Sequence, residues 1–171
     1  MAKIPKKTKI TIGWKEWYTL DSIGLVAIKA KTDTGAKTSA LHAFNIESFY
    51  IEDVEYVKFD IHPLQKNKRL VRNCIARVVD QRMVSDSGGK KEKRYVIKTD
   101  ITIKQRKVNI EITLTNRDSM AFRMLLGREA IMQINAVVDP TKSFICGVLE
   151  KKEVSKLYKK SPQSKDPRTE L

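Results

Sequence analysis

The sequence predicts an all-β, barrel-like domain with one short helix near its C-terminal end. Three observations carry that reading. Apolar and polar residues alternate through Val57, Phe59 and Ile61, through Tyr95, Ile97, Thr99, Ile101 and Ile103, and through Val108, Ile110, Ile112 and Leu114. A period of two is that of a strand with one buried face. Turn-forming residues punctuate the runs, most densely at Ser85-Asp86-Ser87-Gly88-Gly89-Lys90. Residues 128–134 read as the one convincing helix, short, with Ala130, Ile131 and Ile134 on one face. Many short strands with a single helix fit a closed barrel rather than alternating α/β layers.

In chain order, residues 1–9 contain four lysines and no acid, and read as a disordered basic arm. Residues 10–20, with Trp14, Trp17 and Tyr18, form a first strand. Residues 25–31 form a second that runs into a loop at Asp33. Residues 41–51 and 54–61 make a hairpin about Glu52-Asp53, and residues 63–69 are a basic turn. Residues 75–83, 95–103 and 108–114 supply three further strands. Residues 137–148 hold a last strand after the Asp139-Pro140 turn. From residue 150 onward charge and proline dominate, which predicts a disordered tail over 150–171. The domain proper is therefore expected to occupy residues 10–149.

The length of 171 residues suits one domain with a real core, and 41% apolar content is ordinary for a globular chain. No apolar run approaches the 18 or so residues that a spanning helix needs. The basic N-terminus lacks the apolar stretch of a signal peptide. Two cysteines, Cys74 and Cys146, do not make a disulfide framework. Together these predict a cytoplasmic protein with no membrane partner. The net charge of +14 favours acidic partners, whether RNA, ribosome or acidic peptide.

The chemistry concentrates in Asp33-Thr34-Gly35-Ala36-Lys37-Thr38-Ser39-Ala40-Leu41-His42, which follows the apolar run Leu25-Val26-Ala27-Ile28. A carboxylate at a strand end can activate water. The threonine can brace the loop, and the glycine lets backbone approach closely. Downstream stands Met124-Leu125-Leu126-Gly127-Arg128, which opens the one predicted helix. In both places and in that order the chain resembles the retropepsins, single-lobe aspartic peptidases. It is most similar to a bacterial group of retropepsin-like proteins known as "ATP-dependent zinc proteases", found beside ATP-grasp glutamate ligases. Ile12-Gly13-Trp14-Lys15-Glu16, Leu114-Thr115-Asn116-Arg117 and Val138-Asp139-Pro140 extend the match over residues 12–145.

The resemblance implies a closed acid-protease fold, with Asp33 catalytic. It implies that Thr34, Gly35, Ala36, Ser39, His42, Gly127 and Arg128 support the site. Aspartic peptidases need two carboxylates sharing a proton. Asp86-Ser87-Gly88 offers the obvious second one. However, a second lobe would need its own apolar-apolar-Gly element, and only Leu125-Leu126-Gly127 exists. One aspartate per chain then implies a homodimer with Asp33 facing Asp33. The turn at residues 85–90 is a candidate flap, with residues 63–69 as its rival.

Two departures from the retropepsin pattern stand out. Lys31 and Thr32 precede Asp33 in place of apolar residues. Lys37 replaces the acid that would pair with Arg128, leaving Glu129 and Glu111 as alternative partners. Lys37, Arg82, Arg94 and Arg117 are candidate substrate-binding residues, because an arginine fork matches a carboxylate. His42 either makes a structural hydrogen bond or serves the site. His62, on the polar face of a strand, reads as solvent-exposed. Neither His-Glu-x-x-His nor a Walker A motif is present, so neither zinc nor ATP is expected as a cofactor. The expected activity is hydrolysis of acidic peptides, with glutamate tails added by such a ligase as the concrete substrate. The alternatives are a non-catalytic basic module binding RNA, ribosome or acidic protein, and a zinc metallopeptidase.

Overall fold

The computed structural model describes residues 8–116 and 121–170. Within them lie strands β1 (Ile10–Gly13), β2 (Lys15–Leu20), β3 (Leu25–Thr32), β4 (Ser39–His42), β5 (Phe44–Ile51) and β6 (Val54–Ile61). Then follow β7 (Arg72–Ser85), β8 (Lys91–Ile103), β9 (Arg106–Thr115), β10 (Met124–Leu126) and β11 (Ala136–Asp139). Helix α1 spans Arg128–Ile134 and helix α2 spans Lys151–Lys160.

Six strands close a barrel in the order β2-β3-β10-β4-β9-β8, and pairing of Thr19 with Thr102 joins β8 back to β2. Closure removes the exposed edges that an open sheet would present. From β8 the sheet continues through β7 and β6 to β5. β1 and β11 form a separate parallel pair. The predicted alternation is realised: Ile97, Ile101 and Ile103 of β8 and Ile110, Ile112 and Leu114 of β9 enter one core with Tyr18, Leu20, Leu41 and Phe59. The hairpin at Glu52-Asp53 turns with both residues left-handed, φ 47° and 65°. That backbone matches the twist of the flanking strands.

The barrel is the predicted all-β fold, and the differences are local. Residues 10–20 are two strands, because at Gly13 the chain leaves β11 for the barrel. A Cβ there would sit 2.4 Å from the Lys142 carbonyl oxygen, so only glycine lets β1 and β2 diverge at that point. The segment expected to start at Leu41 divides into β4 and β5. Of residues 137–148 only Ala136–Asp139 is a strand.

The C-terminal tail is the larger correction. In place of a disordered segment the chain forms α2, so there are two α-helices among the described residues rather than one. The lysines that suggested disorder lie on its outer side, while Val154 and Tyr158, one turn apart, are fully buried. The Tyr158 hydroxyl donates to the Ala27 carbonyl at 2.5 Å, and the buried Arg72 guanidinium lies 5.4 Å over its ring. Arg72 also donates to the Pro162 carbonyl at 2.6 Å. Glu150 and Glu153 close a capping box at the start of α2, and Lys159 and Lys160 favour its C-terminal dipole.

A second internal tie is Glu16, whose carboxylate is fully buried. It accepts the backbone N–H of Gly13 at 2.8 Å, of Ile145 at 3.1 Å and of Cys146 at 3.0 Å. The charge is thus paid for by three donors that tie β1 and β2 to the segment after β11. Glu16→Gln exchanges one acceptor oxygen for a donor facing N–H groups. It is expected to lower stability on the order of 3 kcal/mol in urea unfolding.

Candidate active site

The loop between β3 and β4 carries Asp33, and β10 lies between those two strands although it comes more than eighty residues later. Met124 pairs with Ala30 on one side and Leu41 on the other, and Leu125 with Lys31 and Ala40. The Asp-Thr-Gly loop and the Leu-Leu-Gly-Arg segment are therefore neighbours by topology. The Asp33 N–H donates to the Leu126 carbonyl at 2.9 Å. The half-buried Asp33 carboxylate accepts at Oδ1 from the N–H groups of Gly35 and Ala36, at 3.0 and 3.2 Å. Charge-assisted bonds of this kind fix its orientation.

Gly127 locks the other side. A Cβ on it would lie 2.5 Å from the Thr38 carbonyl carbon and 2.8 Å from the Ser39 nitrogen. Its N–H donates to Ser39 Oγ at 2.9 Å, and the Ser39 side chain is buried. The next two N–H groups, of Arg128 and Glu129, donate to the Ala36 and Lys37 carbonyls at 2.7 and 3.1 Å. The Arg128 side chain reaches back to the Thr34 carbonyl at 3.1 Å. Ser39, Gly127 and Arg128 are thus loop-holding residues. Neither acid proposed as the partner of Arg128 pairs with it. Glu111 binds Arg82 at 2.8 Å, and Glu129 lies 3.9 Å from Lys37.

Asp33, Gly35, Ala36 and Lys37 open onto a cleft of about 900 Å³. The β7–β8 hairpin borders it through Arg82, Met83, Val84, Ser85, Asp86 and Ser87, with Arg94, Glu111, Thr113, Leu125 and Glu129 completing the lining. Of the two candidate flaps, the turn after β7 borders the Asp33 cleft, whereas residues 64–69 border a separate groove with α2. Asp86 is occupied as a turn residue, accepting at Oδ1 from the N–H groups of Gly88 and Lys90, both at 2.9 Å.

The family model of the RimB-like retropepsin-like aspartic endopeptidases matches residues 11–148. The chain belongs to that family. Over 150 residues it is 45% identical to a probable alpha-L-glutamate ligase of Shewanella pealeana, covering 88% of this chain and 32% of the relative. It is 42% identical to another of that name from Desulfotalea psychrophila, over 92% of this chain and 34% of the relative. The chain thus spans about a third of the length of the curated relatives it matches. Among solved structures it is similar to Lpg0085 of Legionella pneumophila, a protein of unknown function. The TM-score is 0.68 at 29% identity, over 81% of this chain and 99% of that one.

In this RimB-like chain Arg82 and Arg94 stand directly opposite each other across β7 and β8. Facing cations repel, and acids offset them. Arg82 bonds Asp80 at 2.7 Å and Glu111 at 2.8 Å, which raises its pKa, and the buried Arg94 bonds Glu92 at 2.9 Å. Three cations and four acids line the cleft, so its own field is not basic. Glu111 and Glu129 line the cleft as well, a role their expected pairing with Arg128 does not indicate. The β9 alternation places Glu111 between the buried Ile110 and Ile112.

Arg117 lies outside the described residues, as do residues 1–7 of the basic arm. His42 is buried in β4, its N–H bonded to the Arg123 carbonyl at 2.8 Å, and stands outside the cleft lining. His62 is half-buried rather than exposed, stacked on Phe44 with centroids 4.5 Å apart. Burial pushes the Cys74 thiol up to about 12, and burial and Glu16 raise that of Cys146, which disfavours the thiolates that zinc would need. Among the described residues no three His, Cys, Asp or Glu side chains converge as metal ligands. The donor set among the described residues does not fit zinc.

The Gly127 contact yields a direct test. Gly127→Ala is expected to destabilise by about 3 kcal/mol through overpacking against the Thr38–Ser39 backbone. Ser39→Ala, which only removes the acceptor of the Gly127 N–H, is expected to cost about 1–3 kcal/mol. Urea midpoints of both variants check the order.

Proposed function

We propose that the chain is an aspartic peptidase that works as a homodimer, with Asp33 of each copy forming the catalytic dyad. The observation that carries the reading is the Asp33 carboxylate, fixed by the Gly35 and Ala36 N–H groups at the mouth of a cleft bordered by a hairpin flap. On this reading the second carboxylate comes from a second copy, and the engagement of Asp86 in its own turn supports that choice. One carboxylate takes a proton from water as its oxygen bonds to the scissile carbonyl carbon. The other, protonated, gives its proton to the carbonyl oxygen. When the C–N bond breaks, the amine leaves with a proton from the pair.

The proposed substrates are acidic peptides, and in particular glutamate tails. Two things support this choice: Arg82 and Arg94 in the cleft, and relatives named as probable alpha-L-glutamate ligases. A glutamate side chain would exchange with Glu111 or Glu92 for an arginine fork. Specificity then comes from those forks and not from the cleft's overall field. The reaction as proposed uses neither zinc nor ATP, and the cytoplasm is its proposed location, where Cys74 and Cys146 stay free. No helix among the described residues is long and apolar enough to cross a membrane.

Cleavage of a glutamate-tailed peptide tests the reading. Asp33→Asn is expected to lower kcat by a factor of about a thousand or more, and a chelator to leave the wild type unchanged. Undiminished cleavage by Asp33→Asn would remove the aspartic mechanism. Arg82→Gln is expected to raise KM roughly tenfold for glutamate-tailed peptides and to spare neutral ones.

A further inference from the structure

One group of this chain's cations lies away from the cleft. On the outer face of the barrel, Lys15 stands opposite Lys31 and Trp17 opposite Lys29 across β2 and β3. The ammonium groups rest on aromatic rings. Lys15 Nζ lies 4.5 Å from the Trp14 centroid and 5.0 Å from that of Phe144. Lys29 Nζ lies 5.6 Å from Trp17 and 5.9 Å from Phe144. Trp17 and Phe144 are themselves stacked, 6.4 Å apart and 24° from parallel.

Elsewhere Lys37, Lys107 and Lys142 each meet a carboxylate. Among the described residues none of Lys15, Lys29 or Lys31 does. Burial and the charges of Lys15 and Lys151 lower the Lys29 pKa, so the α2 lysine belongs to the same field. Beyond Lys151 the band runs into a groove of about 640 Å³ bordered by Lys66, Lys68 and Arg69. Like charges facing each other across paired strands cost stability, and among the described residues no carboxylate forms an ion pair with Lys15, Lys29 or Lys31.

We propose that this face binds single-stranded nucleic acid. Phosphates on the lysines relieve the repulsion, and exposed bases stack on the Trp14, Trp17 and Phe144 rings. Charge complementarity selects a polyanion. The rings select bases over the carboxylates of an acidic peptide, which have no face to stack. The elongated run from β2 to the α2 groove selects a strand over a flat lipid surface. The proposal is independent of the peptidase reading, because none of these residues lines the Asp33 cleft.

Trp14 and Trp17 are the only tryptophans in the chain, so intrinsic fluorescence reads the face directly. The probe is a uridine oligonucleotide of about 12 residues, within the span of small single-strand binding domains. Titration of the full chain at low salt is expected to quench tryptophan emission, with a log–log salt slope near −3 for four or five neutralised phosphates. The triple variant Lys15→Gln, Lys29→Gln, Lys151→Gln is expected to flatten that slope by about 2 and weaken binding at least tenfold. Lys29→Arg should bind as the wild type does, as should Asp33→Asn and the flap control Lys91→Gln, Lys93→Gln. A thermal melt of each variant confirms that it is folded. Absence of quenching overturns the proposal, and so does equal loss in the flap control. Equal binding of an RNA duplex, or stronger binding of poly-glutamate or of phosphatidylglycerol vesicles, overturns it in favour of a different partner.

Discussion

Gly127 approaches the Thr38–Ser39 backbone more closely than any side chain would permit, and the site is built outward from that contact. The approach places three successive N–H groups, of Gly127, Arg128 and Glu129, on Ser39 Oγ and on the Ala36 and Lys37 carbonyls. It also sets β10 between β3 and β4, so the Asp33 N–H meets the Leu126 carbonyl. The loop is thereby held at both ends, and the Asp33 carboxylate takes its orientation from its own loop amides. The buried strands around it supply the rigidity that a reacting group needs.

Much of this was legible in the sequence, and the reasons are specific. Strands β8 and β9 bury one face each, so their period of two is plain. Helix α1 is plain because Ala130, Ile131 and Ile134 stand at helical spacing. The two halves of the site could be named because the Asp-Thr-Gly and Leu-Leu-Gly-Arg motifs each combine a functional residue with a glycine at a close approach. What escaped notice depended on contacts remote in sequence. Helix α2 is anchored by only two buried residues, Val154 and Tyr158, against a background of lysine, and its ties to Ala27 and Arg72 have no local signature. The break at Gly13 arises because β11 captures β1. The partners of Arg128 and Glu111 were misjudged for the same reason. Charge type predicts an ion pair, but only the fold, which carries Arg82 of β7 across β8 to within 2.8 Å of Glu111 on β9, selects the partner.

The distribution of charge separates two surfaces that composition alone merges. The cleft is nearly balanced, with each arginine already bonded to an acid. Under the proposed function, selectivity there would come from geometry, by exchange of one carboxylate for another on a fork. The outer β2–β3 face is the reverse, with cations held on rings and, among the described residues, no ion pair to a carboxylate. A peptidase with such a face would engage its substrate and its docking partner through different residues, and the two could be altered separately.

The central claim is that one site uses one aspartate from each of two copies. Mixing wild-type and Asp33→Asn chains in equal amounts, allowing the subunits to exchange and measuring cleavage of a glutamate-tailed peptide tests it most directly. If only dimers with two intact aspartates act, the mixture retains about one quarter of the activity of the same total of wild-type chain. Retention of about one half, the value for subunits that act alone, would contradict the account.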